Sequence, residues 1–115
     1  MLEPAFVYRA TIRSVYDGDT CRLDLDLGFG VWLRNQPVRL LDIDTPELRG
    51  PDRPAALAAR DYLRGLLPDG REVVVETERD ATGKYGRWLA RIWLPDLPVS
   101  VNQHMIDVGH ARAYS

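Results

Sequence analysis

The chain has 115 residues, enough for one domain with a single sizeable core. Fifteen Lys and Arg stand against 17 Asp and Glu, a formal charge of −2, so any hold on nucleic acid has to come from a local basic patch. Cys21 is the only cysteine, which excludes an intramolecular disulfide and any Cys/His zinc spacing.

The N-terminal stretch Met-Leu-Glu-Pro-Ala-Phe lacks the basic and apolar regions of a signal peptide, and no apolar run approaches membrane-spanning length. The expectation is a monomeric cytoplasmic protein with no membrane partner, or a secreted one if an export segment has been removed. Tyr8 to Val15 alternates as a half-buried strand, and Asp17-Gly18 marks a tight turn. Thr20 to Leu27 is a second strand, with Cys21, Leu23, Leu25 and Leu27 on one face and Arg22, Asp24 and Asp26 on the other. Gly28-Phe29-Gly30 is a hairpin connection. Val31 to Ile43 then reads as a long third strand, with a bulge or second turn around Asn35-Gln36-Pro37.

A polar loop from Leu48 leads to Pro54, placed in the first turn of a helix that carries Ala56, Ala59, Leu63 and Leu66 on one face. Pro68-Asp69-Gly70 ends it. Glu72 to Glu78 and Trp88 to Leu94 are the fourth and fifth strands, separated by a glycine-bearing loop. Ser100 is placed as N-cap of a second helix, with Gln103 at the third position, Val101, Met105 and Val108 on one face, and Gly109 as the stop. The fold class is therefore α+β, mostly β: a five-stranded OB-type barrel with two helices, as a single domain over residues 1–115.

The chemistry gathers at Arg39-Leu-Leu-Asp-Ile-Asp-Thr-Pro-Glu47. Pro46 lacks an N–H and holds Thr45 extended, so the strand must end in a rigid corner there. Asp44, the Thr45 carbonyl and Glu47 are hard oxygen donors of the kind calcium or magnesium takes. Arg39 sits inside an apolar strand and needs an anionic partner, for which its planar fork suits a phosphate. Asp17-Gly18-Asp19 alone is an ordinary turn. A second acidic cluster at Asp42, Asp44 and Glu47 shifts the reading to a metal site at a rim where all five carboxylates converge. Arg39 and Asp44 are five residues apart and would face opposite ways on a regular strand, so a shared site requires a bend between Leu40 and Asp44.

Asp17-Gly-Asp-Thr20, the Arg39–Glu47 stretch and Gly83-Lys-Tyr-Gly-Arg-Trp-Leu-Ala90 together resemble the signature stretches of the staphylococcal nuclease family, in the right order over nearly the whole chain. The resemblance implies a calcium-dependent nuclease acting on DNA and RNA, preferring single strands and leaving 3′-phosphate ends. It implies calcium held by Asp19, Asp44 and the Thr45 carbonyl, Glu47 as general base, and Arg39 and Arg87 on the scissile phosphate. Lys84, Tyr85 and Tyr114 would contact the bound nucleotide.

The chain departs from the founding member in several places. Asp42 replaces an apolar residue, Gly83 an acidic one, and the loop from Leu48 to Pro54 is shorter. The chain shown ends before the family's usual C-terminal helix, so the expected fold lacks it. The alternative function is a non-catalytic nucleic-acid or protein binding module on the same fold. The complete set Asp19, Arg39, Asp44, Glu47 and Arg87 favours the enzyme.

Overall fold

The computed structural model describes residues 6–79 and 88–114. Its elements are β1 (Val7–Asp17), β2 (Thr20–Gly28), β3 (Val31–Leu40), β4 (Ile43–Asp44), α1 (Arg53–Leu66), β5 (Glu72–Arg79), β6 (Trp88–Trp93), α2 (Val101–Asp107) and β7 (Arg112–Ala113). Five strands close a barrel in the order β1-β2-β3-β6-β5, with β5 returning to β1, and β4 pairs with β7 in a small separate sheet. Among the described residues only the β3–β6 contact is parallel. This is the expected OB-type barrel with two helices.

Alternation supplies the core. Ile12, Leu23, Val38, Leu40, Val75 and Ile92 point inward and are fully buried. A bulge at Arg13, where the β1–β2 register shifts between Ile12 and Ser14, brings Val15 rather than Ser14 into the core. On α1, Ala56, Ala59 and Leu63 are buried, and Pro54 occupies the first turn as its missing N–H allows. Arg64 on α1 donates through Nε and Nη2 to the Val15 carbonyl at 3.2 and 3.0 Å, tying the helix to the end of β1. Ser100 caps α2 as expected, its Oγ accepting from the Gln103 N–H at 3.1 Å.

One expectation is corrected, and two residues take surroundings that alternation and helical spacing do not fix. The third strand does not run to Ile43: it stops at Leu40, and Asp42 at φ 64° turns the chain before β4 resumes. Asp24 keeps its outward register but is buried, because Arg34 Nη1 (3.2 Å), Arg13 Nε (3.8 Å) and the Asn35 N–H (2.8 Å) close over it. The Asn35 N–H, followed by the two guanidinium groups, holds its carboxyl below the usual range. Val108 is exposed, because α2 ends at Asp107 and Val108 is already its C-cap. The bulge expected near Asn35 is present: Leu23 faces Gln36 while Leu25 faces Leu33, and Asn35 takes φ 54°.

Asn102 is the buried polar link between α2 and the barrel. Its Nδ2 donates to the carbonyls of Leu41 and Ala90, both at 2.9 Å, and its Oδ1 accepts from the Ile92 N–H at 3.1 Å. Three main-chain groups thus depend on one amide. Asn102→Ala should destabilise the domain by about 2–4 kcal/mol, since each orphaned buried group costs about 1–3 kcal/mol. Thermal unfolding should show a fall of roughly 10 °C or more. A variant melting within a degree or two of the parent would mean that these bonds are replaceable by water.

Candidate active site

The site is built where the β1–β2 turn meets the corner after β3. Gly18 makes the approach possible: a Cβ there would lie 2.9 Å from both Ala59 Cβ and Thr45 Cγ2, so only glycine fits between the turn, α1 and the corner. Asp19 follows in the turn, its N–H donating to Asp17 Oδ1 at 3.1 Å. The Asp19 carbonyl accepts from the Leu40 N–H at 2.8 Å, which docks the turn on the end of β3.

Arg39, half-buried on β3, finds the partners that an apolar strand demands. Its Nη2 donates to the Ile43 carbonyl at 3.2 Å and lies 3.5 Å from Asp19 Oδ2 and 3.7 Å from Asp44 Oδ1. The required bend is the Leu41–Asp42 turn. Aspartate tolerates the left-handed conformation better than most side chains, and Asp42 adopts it so that Ile43 and Asp44 fold back beside Arg39. Thr45, buried at the corner, donates its N–H to Asp19 Oδ2 at 3.3 Å. The Tyr114 ring centroid lies 5.4 Å from Arg39 Cζ, within cation–π range, and the Tyr114 N–H donates to the Asp42 carbonyl at 2.9 Å.

Asp19, Arg39, Asp44, Thr45 and Tyr114 are therefore neighbours. Not every acid expected at this rim joins them. Asp42 points away, onto Arg91 Nη2 at 2.6 Å, and Arg91 also pairs with Glu76 and Glu78. Glu47 is exposed beyond Pro46 and has no hydrogen-bond or ion-pair partner among the described residues. Lys84, Tyr85 and Arg87 lie outside the described residues; Trp88 and Leu89, which follow Arg87, pair with Val38 and Arg39.

Sequence reasoning missed Arg112. Carried in by the β4–β7 pairing of Asp44 with Arg112, it donates to Asp44 Oδ2 through Nε at 3.3 Å and Nη2 at 3.1 Å. No spacing signal could have found it, 68 residues from its partner. A cleft of about 320 Å³ opens beside Asp44, Thr45, Asp52 and Arg112.

The side-chain donors at this corner, Asp19 and Asp44, are both carboxylates, which suits a hard dication that completes its shell with water. Among the described residues no three His, Cys, Asp or Glu side chains converge tightly enough to hold a metal by themselves. The fit is thus to a water-rich site of two carboxylates, with Arg39 and Arg112 now on their oxygens.

Asp19 bears the electrostatic cost of this crowding. Burial first, then the hydrogen bond and negative charge of Asp17, push its carboxyl up to about 6 against the opposing Arg39 charge and Thr45 N–H. Its folded pKa thus exceeds the unfolded value, so between about pH 4 and 6 the folded chain holds more proton than the unfolded one. Asp19 then contributes stability that is complete at the acid end and lost as pH rises through about 6. Metal-free parent should accordingly lose stability across that window, and Asp19→Asn, which mimics the protonated acid, should flatten the slope and melt above the parent at neutral pH. Denaturant unfolding of both proteins at fixed ionic strength checks this; parallel pH profiles would rule it out.

Comparison with known proteins agrees with this geometry. The family model of the staphylococcal nuclease homologues matches residues 37–115, from just ahead of Arg39. Thermonuclease of Staphylococcus intermedius is 33% identical over 106 residues, covering 90% of this chain and 59% of that protein. Thermonuclease of Staphylococcus hyicus is 31% identical over 102 residues, covering 86% and 55%. Endonuclease YhcR of Bacillus subtilis (strain 168) is 26% identical over 115 residues, covering 93% of this chain and 9% of that protein. The chain thus spans a little over half the length of the thermonucleases it matches. With the family match running through the Arg39 strand, the corner and the C-terminal segment, this chain belongs to the staphylococcal nuclease homologues.

Proposed function

We propose that this domain is a calcium-dependent nuclease that hydrolyses phosphodiester bonds of DNA and RNA, prefers single strands and leaves 3′-phosphate ends. The observation that carries the reading is the half-buried Arg39 guanidinium held between Asp19 and Asp44 at the Thr45 corner. The names of the relatives, two thermonucleases and an endonuclease, support it.

Asp19, Asp44 and the Thr45 carbonyl would hold the calcium. When bound, the dication supplies positive charge for a phosphoryl oxygen and acidifies a bound water. Arg39 and Arg87 grip the scissile phosphate and neutralise the charge that builds on its oxygens as water adds to phosphorus. Glu47, exposed and without an ion-pair partner among the described residues, accepts the proton of the attacking water. The bond to the 5′ oxygen breaks, that oxygen takes a proton from solvent water, and the phosphate stays on the 3′ side. Lys84 and Tyr85 contact a further phosphate, and Tyr114, already stacked towards Arg39, offers a face to a base.

Digestion of single-stranded DNA with calcium, with magnesium and with chelator tests the whole reading. Glu47→Gln should lower turnover with nucleotide binding largely kept, and Arg87→Ala should cost on the order of 10²–10³ in rate. Binding without turnover in the calcium-loaded parent would assign the domain to the non-catalytic binding modules instead.

The metal has a readout separate from activity. A ligand that binds only the folded state stabilises by about 2.7 kcal/mol at a hundredfold excess over Kd, a melting shift of roughly ten degrees for a domain of this size. Calcium should raise the midpoint above that in an ionically matched sodium salt, and Asp44→Asn should weaken the effect. Arg112→Ala should tighten calcium by about fivefold at most, because the Arg112 side chain is 83% exposed and such pairs contribute little. Equal midpoints in calcium and sodium would remove the metal from the site.

A further inference from the structure

With a formal charge of −2, this chain can hold nucleic acid only through a local basic patch, and the outer wall of the barrel carries one. Cys21, Leu23 and Leu25 point inward on β2, so Thr20, Arg22 and Asp24 share its outer face. The register carries that face across three strands: Thr20 opposite Arg39, Arg22 between Ser14 and Pro37, and Asp24 opposite Thr11. The run therefore starts at Arg39 in the candidate active site. It descends β2 in steps of about 7 Å, two residues of an antiparallel strand.

Two clefts lie along this run, and Ser14 lines both. The first, of about 330 Å³, is lined by Thr20, Arg22 and Pro37 and by Arg64 from α1. The second, of about 500 Å³, is lined by Arg13, Asp24, Arg34 and Asn35. Four of the 15 basic residues thus face these clefts against one of the 17 acids.

Three of these arginines are held in place by the protein itself. Arg22 donates through Nη1 to the Asn35 carbonyl at 2.9 Å, and Arg64 donates to the Val15 carbonyl. Both acceptors are neutral, so the two cations are fixed with their charge uncompensated by them. Arg34 is held from two sides: Nη1 donates to Asp24 Oδ2 at 3.2 Å, and Cζ lies 4.6 Å from the Trp32 ring centroid. Its side chain nonetheless stays 65% exposed. Asn35, left-handed at φ 54°, joins the two clefts, its carbonyl taking Arg22 and its N–H reaching Asp24. A guanidinium fixed before its ligand arrives loses less freedom in gripping it, and its remaining N–H donors match the oxygens of a phosphate.

We propose that the outer face of β1, β2 and β3 is a phosphate track for the substrate strand beyond the scissile bond. Arg22 with Arg64 takes the next phosphate, and Arg13 with Arg34 the one after. The stations follow one another along a single β-strand, at the interval at which phosphates succeed each other in an extended single strand. Because the run begins at Arg39, its occupant is the strand being cut; in this the track rests on the nuclease reading. Asp24, buried beneath Arg13 and Arg34, positions their forks and contacts no phosphate.

Fluorescence anisotropy with labelled thymidine oligonucleotides tests the track, in chelator so that nothing is cut. The parent should bind an octanucleotide at least about a hundredfold tighter than a dinucleotide, whose single phosphate occupies one station; each further station contributes about tenfold. Arg22→Gln combined with Arg34→Gln should remove most of that gain. It should also lower the slope of log K against log salt by about 1.4, two phosphate contacts of a single strand. Glutamine keeps a donor for the Asn35 carbonyl and for Asp24. If the pair disturbs the barrel, Arg22→Gln alone, which leaves Asp24 all its partners, should lower the slope by about 0.7. An octanucleotide bound no tighter than the dinucleotide, or a slope unchanged in both variants, overturns the track. Should such a parent still cut single-stranded DNA with calcium, the nuclease reading survives that result. A length gain that the variants abolish, in a parent that never cuts, keeps the track and fails the nuclease reading instead.

Discussion

One guanidinium organises the functional end of this domain. Arg39 is half-buried on a strand whose neighbours Val38 and Leu40 are wholly inside, so its charge has to be met locally. It is met by Asp19 from one hairpin and Asp44 from the corner. Removing the Asp44 carboxylate would leave the cation under-compensated, while removing the cation would leave two acids facing each other, one of them already pushed up to about 6. The arrangement suits a phosphate site because its balance is incomplete: the Asp19 carboxyl would gain from further positive charge, and Arg39 has the fork to take a second anion.

The scaffold that holds this balance is mostly main chain. Gly18 lets the turn lie against α1 and Thr45 at a distance no side chain would permit. Asp42 supplies the left-handed residue that reverses the chain, and Asn102 pins the carbonyl of Leu41, just before that reversal, to β6. Each is the residue its local backbone requires, and the corner owes its shape to these few positions.

The two ends of the barrel differ in the forces that act on them. At the acidic corner, charges are matched in pairs, the half-buried Arg39 reaching in from β3 and the exposed Arg112 from β7. At the far end, the β2–β3 hairpin exposes apolar side chains to solvent.

Much of this was legible in the sequence because it is local. Alternation placed β1 and β2, Asp17-Gly18 the turn, Pro46 the corner, Pro54 the start of α1 and Ser100 the cap of α2. The need for a bend between Arg39 and Asp44 followed from strand parity alone, and the Leu41–Asp42 turn provides it. Other features depended on residues far apart in the chain. Arg112 reaches Asp44 only because β7 returns to β4, Asp42 leaves the acidic rim because Arg91 is within reach, and Asp24 is buried because a bulge 11 residues later swings Arg34 and the Asn35 N–H over it. Periodicity and turn chemistry act over a few residues and can be read along the chain; which charge finds which partner is decided by distances that exist only after the barrel has closed.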